Sequence, residues 1–440
     1  MSQILKTLFL VSVLLFLTAC SGIGPLQMDL MPPPDIYDQK TFNPFVGKSP
    51  ETALTYRGVL YATDREAAKP NSFERYYLNE RSRTLKLGVA RLRLANAQLT
   101  WEEAKKISLD KNRKGKYPFE VEGINEEGYL DLLELLPEQR TDPGEYYKPA
   151  QKYTDLINEK LAISKRKDIY IYVHGYKVTF ENPALVASQL WHYMAYDGVM
   201  IAYAWPSTPS RWAYLKDTET ADGFARNFRI FLTYLARNTD AEKIHVIGYS
   251  AGTRLVLRAF EQLSLQYEGQ SKAAIATQQR LGHLIVTASD VDREVFYAYL
   301  ADGLQMMPED MTVYMSVDDK ALSISRLLTR RARLGQMWKD VPDGVVEFLN
   351  LDDNNVDLVD ISGATDWDTG NGHAYFRNSP WVSSDILMSL LEDYTPAERG
   401  LIKNDKTGIW AFPDDYIERA RETIVEKKTV EQAAAEAMSD

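Results

Sequence analysis

From about Lys167 the chain alternates short apolar runs with amphipathic helical stretches, and this alternation limits its fold more than any other feature. Strand and helix in regular turn build a parallel sheet covered on both faces, because parallel strands need long crossovers that lie over the sheet. Asp168 to Val173 (DIYIYV) reads as a strand ending in His174-Gly175-Tyr176, followed by a helix over Pro183 to Tyr196. Val199 to Ala204 is the next strand, running into Trp205-Pro206-Ser207, and Ala221 to Arg237 a long helix. Lys243 to Ile247 is a strand and Gly252 to Leu265 a helix. Three further runs read as strands: Leu284 to Ala288, Thr312 to Ser316 and Val345 to Leu349. The expected fold class is therefore α/β, with a mostly parallel sheet, helices on both faces and a core spanning about 161–394.

The remaining segments are of other kinds. The first nineteen residues read as a signal peptide, with Lys6 as a positive region and Leu8 to Leu17 as an apolar run too short to span a bilayer. The run ends in Leu17-Thr18-Ala19-Cys20, which resembles the lipobox of bacterial lipoproteins, and Cys20 is the only cysteine. That resemblance implies acyl chains on Cys20 and a membrane anchor; Ser21 after it favours the outer membrane facing the periplasm. Residues 20–50 are rich in proline and glycine, with Met31-Pro32-Pro33-Pro34 in the middle, and are expected to form an extended tether. Residues 51–160 carry strand-like runs at Tyr56 to Thr63 and Leu85 to Leu94 and a charged stretch from Trp101 to Lys116, an N-terminal extension with no evident chemistry. Residues 395–440 are expected to form a helical tail. A net charge of −11, with acidic and basic residues interspersed, gives no basic field and argues against a nucleic-acid partner. The chain has no phosphate-binding GxxxxGK[ST] loop and no cysteine set for zinc.

One junction carries chemistry. Lys243 to Leu255 (KIHVIGYSAGTRL) passes from strand through Gly248-Tyr249-Ser250-Ala251-Gly252 into helix. In a GxSxG elbow the serine occupies a strained strand-to-helix turn and its hydroxyl stands above the sheet, so Ser250 is the expected nucleophile. A serine hydroxyl needs an adjacent base, and the chain has five histidines. His245 and His283 fall in or beside strands, His192 in the aromatic helix stretch LWHYM, and His174 in the HGY turn. His373, in the glycine-rich loop Asp368 to Tyr375, remains as the base. The acid should lie between serine and histidine in sequence. Asp318 or Asp319, after TVYMS, leads over Asp290, Asp292, Asp352 and Asp353. Oxyanion donors are expected from the backbone N–H of Ala251 and from Tyr176 or Lys177 after the HG turn. Trp205, Trp212 and Tyr249 are expected near a substrate pocket. No metal or organic cofactor is required.

Taken in order, IYVHGYKVTFENPA, IAYAWPS, IHVIGYSAGTRL, IVTASDVDREVF, TVYMSVDDKALSISRLL and GHAYFRNSP resemble a bacterial α/β-hydrolase family of unknown function, loosely grouped with esterases and lipases. VLYATDR, Val59 to Arg65, resembles that family's N-terminal block. The resemblance covers about Val59 to Leu390 and implies an α/β-hydrolase fold with Ser250 as nucleophile, His373 as base and Asp319 as orienting acid. It implies a structural role for the DVD block, Asp290 to Asp292. Two departures stand out: Tyr249 and Ala251, where the family often has a histidine and a larger residue, and a tail from about Thr395 without counterpart. The expected activity is hydrolysis of a small-molecule or lipid ester at a membrane-anchored domain. The alternative is a lipoprotein that uses such a domain for binding or assembly.

Overall fold

A computed structural model of the chain describes residues 25–437 other than 39–41, 50–55, 71, 73, 96–97, 133–146, 339–340 and 365–371. The expected signal peptide, Cys20 and loop residues Asp368 to Asn371 lie outside the described residues. The apolar runs pair into one twelve-stranded sheet. In chain order its strands are β1 (Met28–Asp29), β2 (Val59–Ala67), β3 (Tyr77–Leu94), β4 (Pro118–Asp131), β5 (Asp168–Val173), β6 (Val199–Tyr203), β7 (Lys243–Tyr249), β8 (Leu281–Thr287), β9 (Asp310–Met315), β10 (Val356–Asp360), β11 (Ile402–Lys403) and β12 (Trp410–Ala411). Their spatial order is β1-β4-β3-β2-β6-β5-β7-β8-β9-β10-β12-β11.

From β2 to β12 neighbouring strands run parallel, and antiparallel strands β1, β4 and β3 at one side and β11 at the other extend the sheet. All six residues of β5 are buried, as expected for a strand covered on both faces. The helices are α1 (Trp101–Ser108), α2 (Gln151–Ile163), α3 (Glu181–Tyr193), α4 (Tyr214–Asn238), α5 (Gly252–Gln266), α6 (Lys272–Gln279), α7 (Arg293–Ala301), α8 (Lys320–Thr329), α9 (Asp343–Leu349), α10 (Tyr375–Asn378), α11 (Pro380–Glu392) and α12 (Tyr416–Ala437). Among the described residues no helix is long and apolar enough to cross a membrane.

The strand order fixes where a site can form. From β5 the chain crosses through α3 to β6 on one side, and then through α4 to β7 on β5's other side. Right-handed crossovers place α3 on the opposite face from α4 and α5. Direction therefore reverses between β5 and β7, and the crevice beyond their carboxyl ends is where an open α/β sheet binds ligands. β5 and β7 pair from Asp168↔Lys243 to Val173↔Gly248, so the HGY turn and the GYSAG elbow emerge side by side.

Three expectations are corrected. Residues 343–349, read from Val345 to Leu349 as a strand, form helix α9; Val345 and Phe348 pack at helical spacing while the true strand, β10, is VDLVD and pairs with β9. The β-branched pair Val345-Val346 outweighed the helical period in the sequence. The segment expected to be a tether is held down from Pro25 onward: Met31, Ile36 and Phe45 are buried, Met31 N–H donates to Gln189 Oε1 (2.5 Å) and Ile36 N–H to Ser384 Oγ (3.1 Å). Pro33 and Pro34, both buried, carry no N–H that this packing would leave without a partner. The tail is helical only from Tyr416; before that β11 and β12 add a hairpin beside β10.

Candidate active site

Ser250 leaves β7 with φ 52°, a left-handed conformation that a non-glycine residue holds only when its surroundings enforce it. Here they do. Ser250 N–H donates to Thr287 O on β8 (3.0 Å), and its carbonyl accepts from Thr253 N–H (3.0 Å) and Thr253 Oγ1 (2.6 Å). A Cβ at Gly252 would collide with the carbonyl oxygen of His174, so only glycine lets α5 start this close to the neighbouring turn. Gly248 is under less demand: a Cβ there would meet Thr253 and Val256 at 3.4 Å, an ordinary contact.

His373 and Asp319 converge on this serine. His373 Nε2 lies 2.8 Å from Ser250 Oγ, and Nδ1 lies 2.7 Å from Asp319 Oδ2. An ionised carboxylate only accepts, so Nδ1 carries the proton and Nε2 presents its lone pair to the hydroxyl. All three are buried: Ser250 is 4% exposed, His373 8% and Asp319 1%. Asp319 is also the N-cap of α8, its Oδ1 accepting from Leu322 N–H at 2.9 Å. The cap thus fixes the rotation of the carboxylate. Asp318 is exposed, and Gly372 (φ 71°) packs so tightly on its carbonyl that a Cβ would not fit. That contact brings the loop bearing His373 down onto the Asp318-Asp319 turn. Tyr249 packs at a tilt against the imidazole (ring centroids 5.1 Å apart) and against Phe376 (4.8 Å).

The HGY turn abuts the elbow, since a Cβ on Gly175 would stand 2.9 Å from Ser250 Cβ and 3.3 Å from its Oγ. Ala251, at the N-cap of α5, and Gly252, its first residue, directly follow Ser250 and carry N–H groups without intrahelical partners. Lys177 holds φ 68° in the same turn. His174 is fully buried, with ring nitrogens 2.5 Å from Gly175 O and 3.1 Å from Trp205 O, and burial pushes it down to about 3. It is therefore neutral at ordinary pH and holds the turn in shape. Trp205, expected to wall a pocket, is instead fully buried; it stacks on His174 (5.1 Å, 4° between planes) and its indole N–H donates to His174 O (2.6 Å). Trp212 is 84% exposed, and Tyr176 packs edge-on against Tyr214 (5.5 Å).

The support for this turn comes from a segment without evident chemistry in the sequence. Arg65, at the end of β2, is fully buried, and its guanidinium donates to Asn79 Oδ1 (2.6 Å), Ser207 O (3.3 Å) and Val178 O (3.1 Å). Burial pulls Arg65 down to about 10, opposed by Asp64 and Asp217. Thr63 Oγ1 donates to Ala204 O (2.6 Å), so ATDR holds both loops beside the elbow. A second staple lies across the rim. Buried Asp290 accepts from Tyr214 OH (2.6 Å) and Ser325 Oγ (2.5 Å) and faces Arg254 (3.4 Å) and Arg333 (3.5 Å). It links α4, α5 and α8. The DVD block is thus structural. The other histidines lie elsewhere: His192 bonds Tyr196 OH and Ser108 Oγ (both 2.7 Å), and His245 accepts from His283 N–H (3.0 Å) at the amino ends of the strands.

The family match agrees with this architecture. The profile of the family described as an alpha/beta hydrolase of unknown function (DUF900) matches residues 149–391, over half of the chain. No curated protein matches. A lipase-esterase related protein from Clostridium acetobutylicum ATCC 824, known from a crystal structure, is similar at 13% identity over 45% of this chain and 74% of that one, with a TM-score of 0.21.

Proposed function

The chain belongs to this family of α/β-hydrolases of unknown function, and from that premise we propose that it is a serine hydrolase of ester or related acyl bonds, anchored in the bacterial envelope through Cys20. The observation that carries the proposal is the continuous chain from Ser250 Oγ through His373 to Asp319, with contacts of 2.8 and 2.7 Å. Ser250 Oγ attacks the acyl carbonyl as its proton passes to His373 Nε2. Negative charge gathers on the carbonyl oxygen, toward which the amides of Ala251 and of Tyr176 or Lys177 donate. The bond to the leaving group breaks, His373 returns the proton to it, and water then releases the acyl group by the same steps in reverse order. Asp319 keeps the imidazole in the tautomer that accepts from serine. The lipobox-like LTAC supports the anchor.

A fluorophosphonate probe tests the chemistry. Folded wild type should label and Ser250→Ala should not; a folded wild type that stays unlabelled leaves only a binding module, and labelling that survives Ser250→Ala removes the nucleophile. A series of p-nitrophenyl esters of rising chain length then defines the acyl group. For the anchor, Cys20→Ser should abolish acylation and release the protein from membranes; continued acylation removes that assignment.

A further inference from the structure

The rim around Ser250 carries a surface at odds with the acidic character of the chain. From Lys320 to Trp338 there are five cationic residues, of which Arg333 is buried against Asp290, and no aspartate or glutamate, within a chain of net charge −11; the exposed Asp318 stands just before the stretch. Helix α8 buries Leu322 and Ser325 and exposes Lys320, Ser323, Arg326 and Leu327, and Arg330 at its C-cap is exposed as well. Lys320, Arg326 and Arg330 have no carboxylate within 4.0 Å among the described residues; Arg331, just beyond, lies 3.9 Å from Asp292. Large apolar side chains stand among these cations. Leu327 is 78% exposed, and Val317, two residues before Asp319, 58%. Beside α8 runs the 3-10 turn Arg211–Ala213 and the start of α4, with Trp212 84% and Leu215 74% exposed. The two segments are in direct contact, Tyr214 OH lying 2.8 Å from Ser325 Oγ, and Tyr214 in turn packs on Tyr176 of the HGY turn. Both segments follow carboxyl ends of strands, the end of the sheet where Ser250 lies.

We propose that this rim is an interfacial surface that seats the domain on an anionic phospholipid membrane, with Trp212, Leu215 and Leu327 entering the headgroup region and Lys320, Arg326 and Arg330 facing lipid phosphates. Exposed bulky apolar groups alone would fit many partners. Their mixture with unpaired cations, on an otherwise acidic molecule, selects an apolar layer beneath fixed negative charge. Tryptophan at its most exposed point favours the amphipathic boundary of a bilayer. Resting on the hydrolase reading, the inference also names the substrate class: acyl lipids presented at the membrane surface.

The test uses the full chain carrying Ser250→Ala and Cys20→Ser, so that neither turnover nor an acyl anchor contributes; any effect of the first residues is common to all variants. Flotation with vesicles of phosphatidylcholine is compared with vesicles of equal parts phosphatidylcholine and phosphatidylglycerol. Binding should favour the anionic vesicles and weaken with salt. At about fivefold per cation near the surface, Arg326→Glu with Arg330→Glu should lower it by about 25-fold or more, and the double lysine variant should keep it. Trp212→Ala with Leu215→Ala should lower it about tenfold or more. Equal partition onto both vesicles, or anionic binding untouched by loss of Trp212 and Leu215, overturns the proposal. So does retention on RNA homopolymer with vesicles ignored. Fluorophosphonate labelling of Ser250 in solution needs no membrane, so failure of docking and failure of the hydrolase reading are distinguished.

Discussion

Asp319 serves two partners with two oxygens, and Asp319→Asn separates them. Oδ2 accepts from His373 Nδ1 at 2.7 Å and Oδ1 from Leu322 N–H at 2.9 Å. An asparagine has one acceptor and one donor. If its oxygen keeps the helix cap, its NH₂ group faces Nδ1 and forces the proton onto Nε2, which then no longer accepts from Ser250. If the amide turns over, two donors meet at the start of α8 and the cap is lost, at about 1 kcal/mol. Asparagine caps as well as aspartate, so the first arrangement holds and stability should change by no more than about 1 kcal/mol. Reactivity should fall by about 10³- to 10⁴-fold, because the tautomer is wrong. The pseudo-first-order rate of fluorophosphonate labelling and a urea melt on the same preparation measure the two effects. Labelling within threefold of wild type, with the fold intact, would refute the orienting role. Asp319→Ala should show the same loss of labelling together with a cap loss of about 0.5–2 kcal/mol.

Three further outcomes are expected. Gly252→Ala drives a Cβ into the His174 carbonyl and should cost about 1–3 kcal/mol in thermal or urea melts while slowing labelling by about 10²-fold through displacement of the turn; wild-type rates would show the close approach to be dispensable. Arg65→Lys keeps the charge but reaches one acceptor in place of three, so acylation rate should drop tenfold or more with ester KM little changed and native circular dichroism, an outcome that simple unfolding would not give. His174, pushed down to about 3 by burial, stays neutral in the fold but is protonated in the unfolded chain below pH 6.5. Its folded value is the depressed one, so stability is full above pH 6.5 and is lost as pH falls toward 3, about 2 kcal/mol by pH 5. Urea melts from pH 7.5 to 5 should show this slope in wild type and a shallower one in His174→Asn.

The sequence was most legible where the chemistry is local. The elbow, its strand and its helix occupy consecutive residues, and the strained φ of Ser250 follows from that junction. His373 emerged by elimination because histidines are few and four of them fall inside strands, a helix or a tight turn. The choice of Asp319 over Asp318 is less local, since it depends on which carboxylate turns inward. A usable signal existed in the start of KALSISRLL, where the residue before a helix caps it and is fixed in direction. Arg65 stood in the VLYATDR block, but its role was not legible, because its partners lie between 14 and 142 residues away. Trp205 was misplaced for the same reason: aromatic composition does not reveal whether a ring faces a cleft or props a turn. The segment from Pro25 read as a loose tether because proline marks extended backbone whether or not it is packed.

That packed segment bears on where the domain can work. Only four residues separate Cys20 from Pro25, where the described fold begins, and the five residue steps reach about 17 Å when fully stretched. On the proposed acylation of Cys20, so short a leash would keep the domain within a few headgroup widths of its own leaflet, meeting acyl lipids by lateral diffusion while soluble esters would have to come to it.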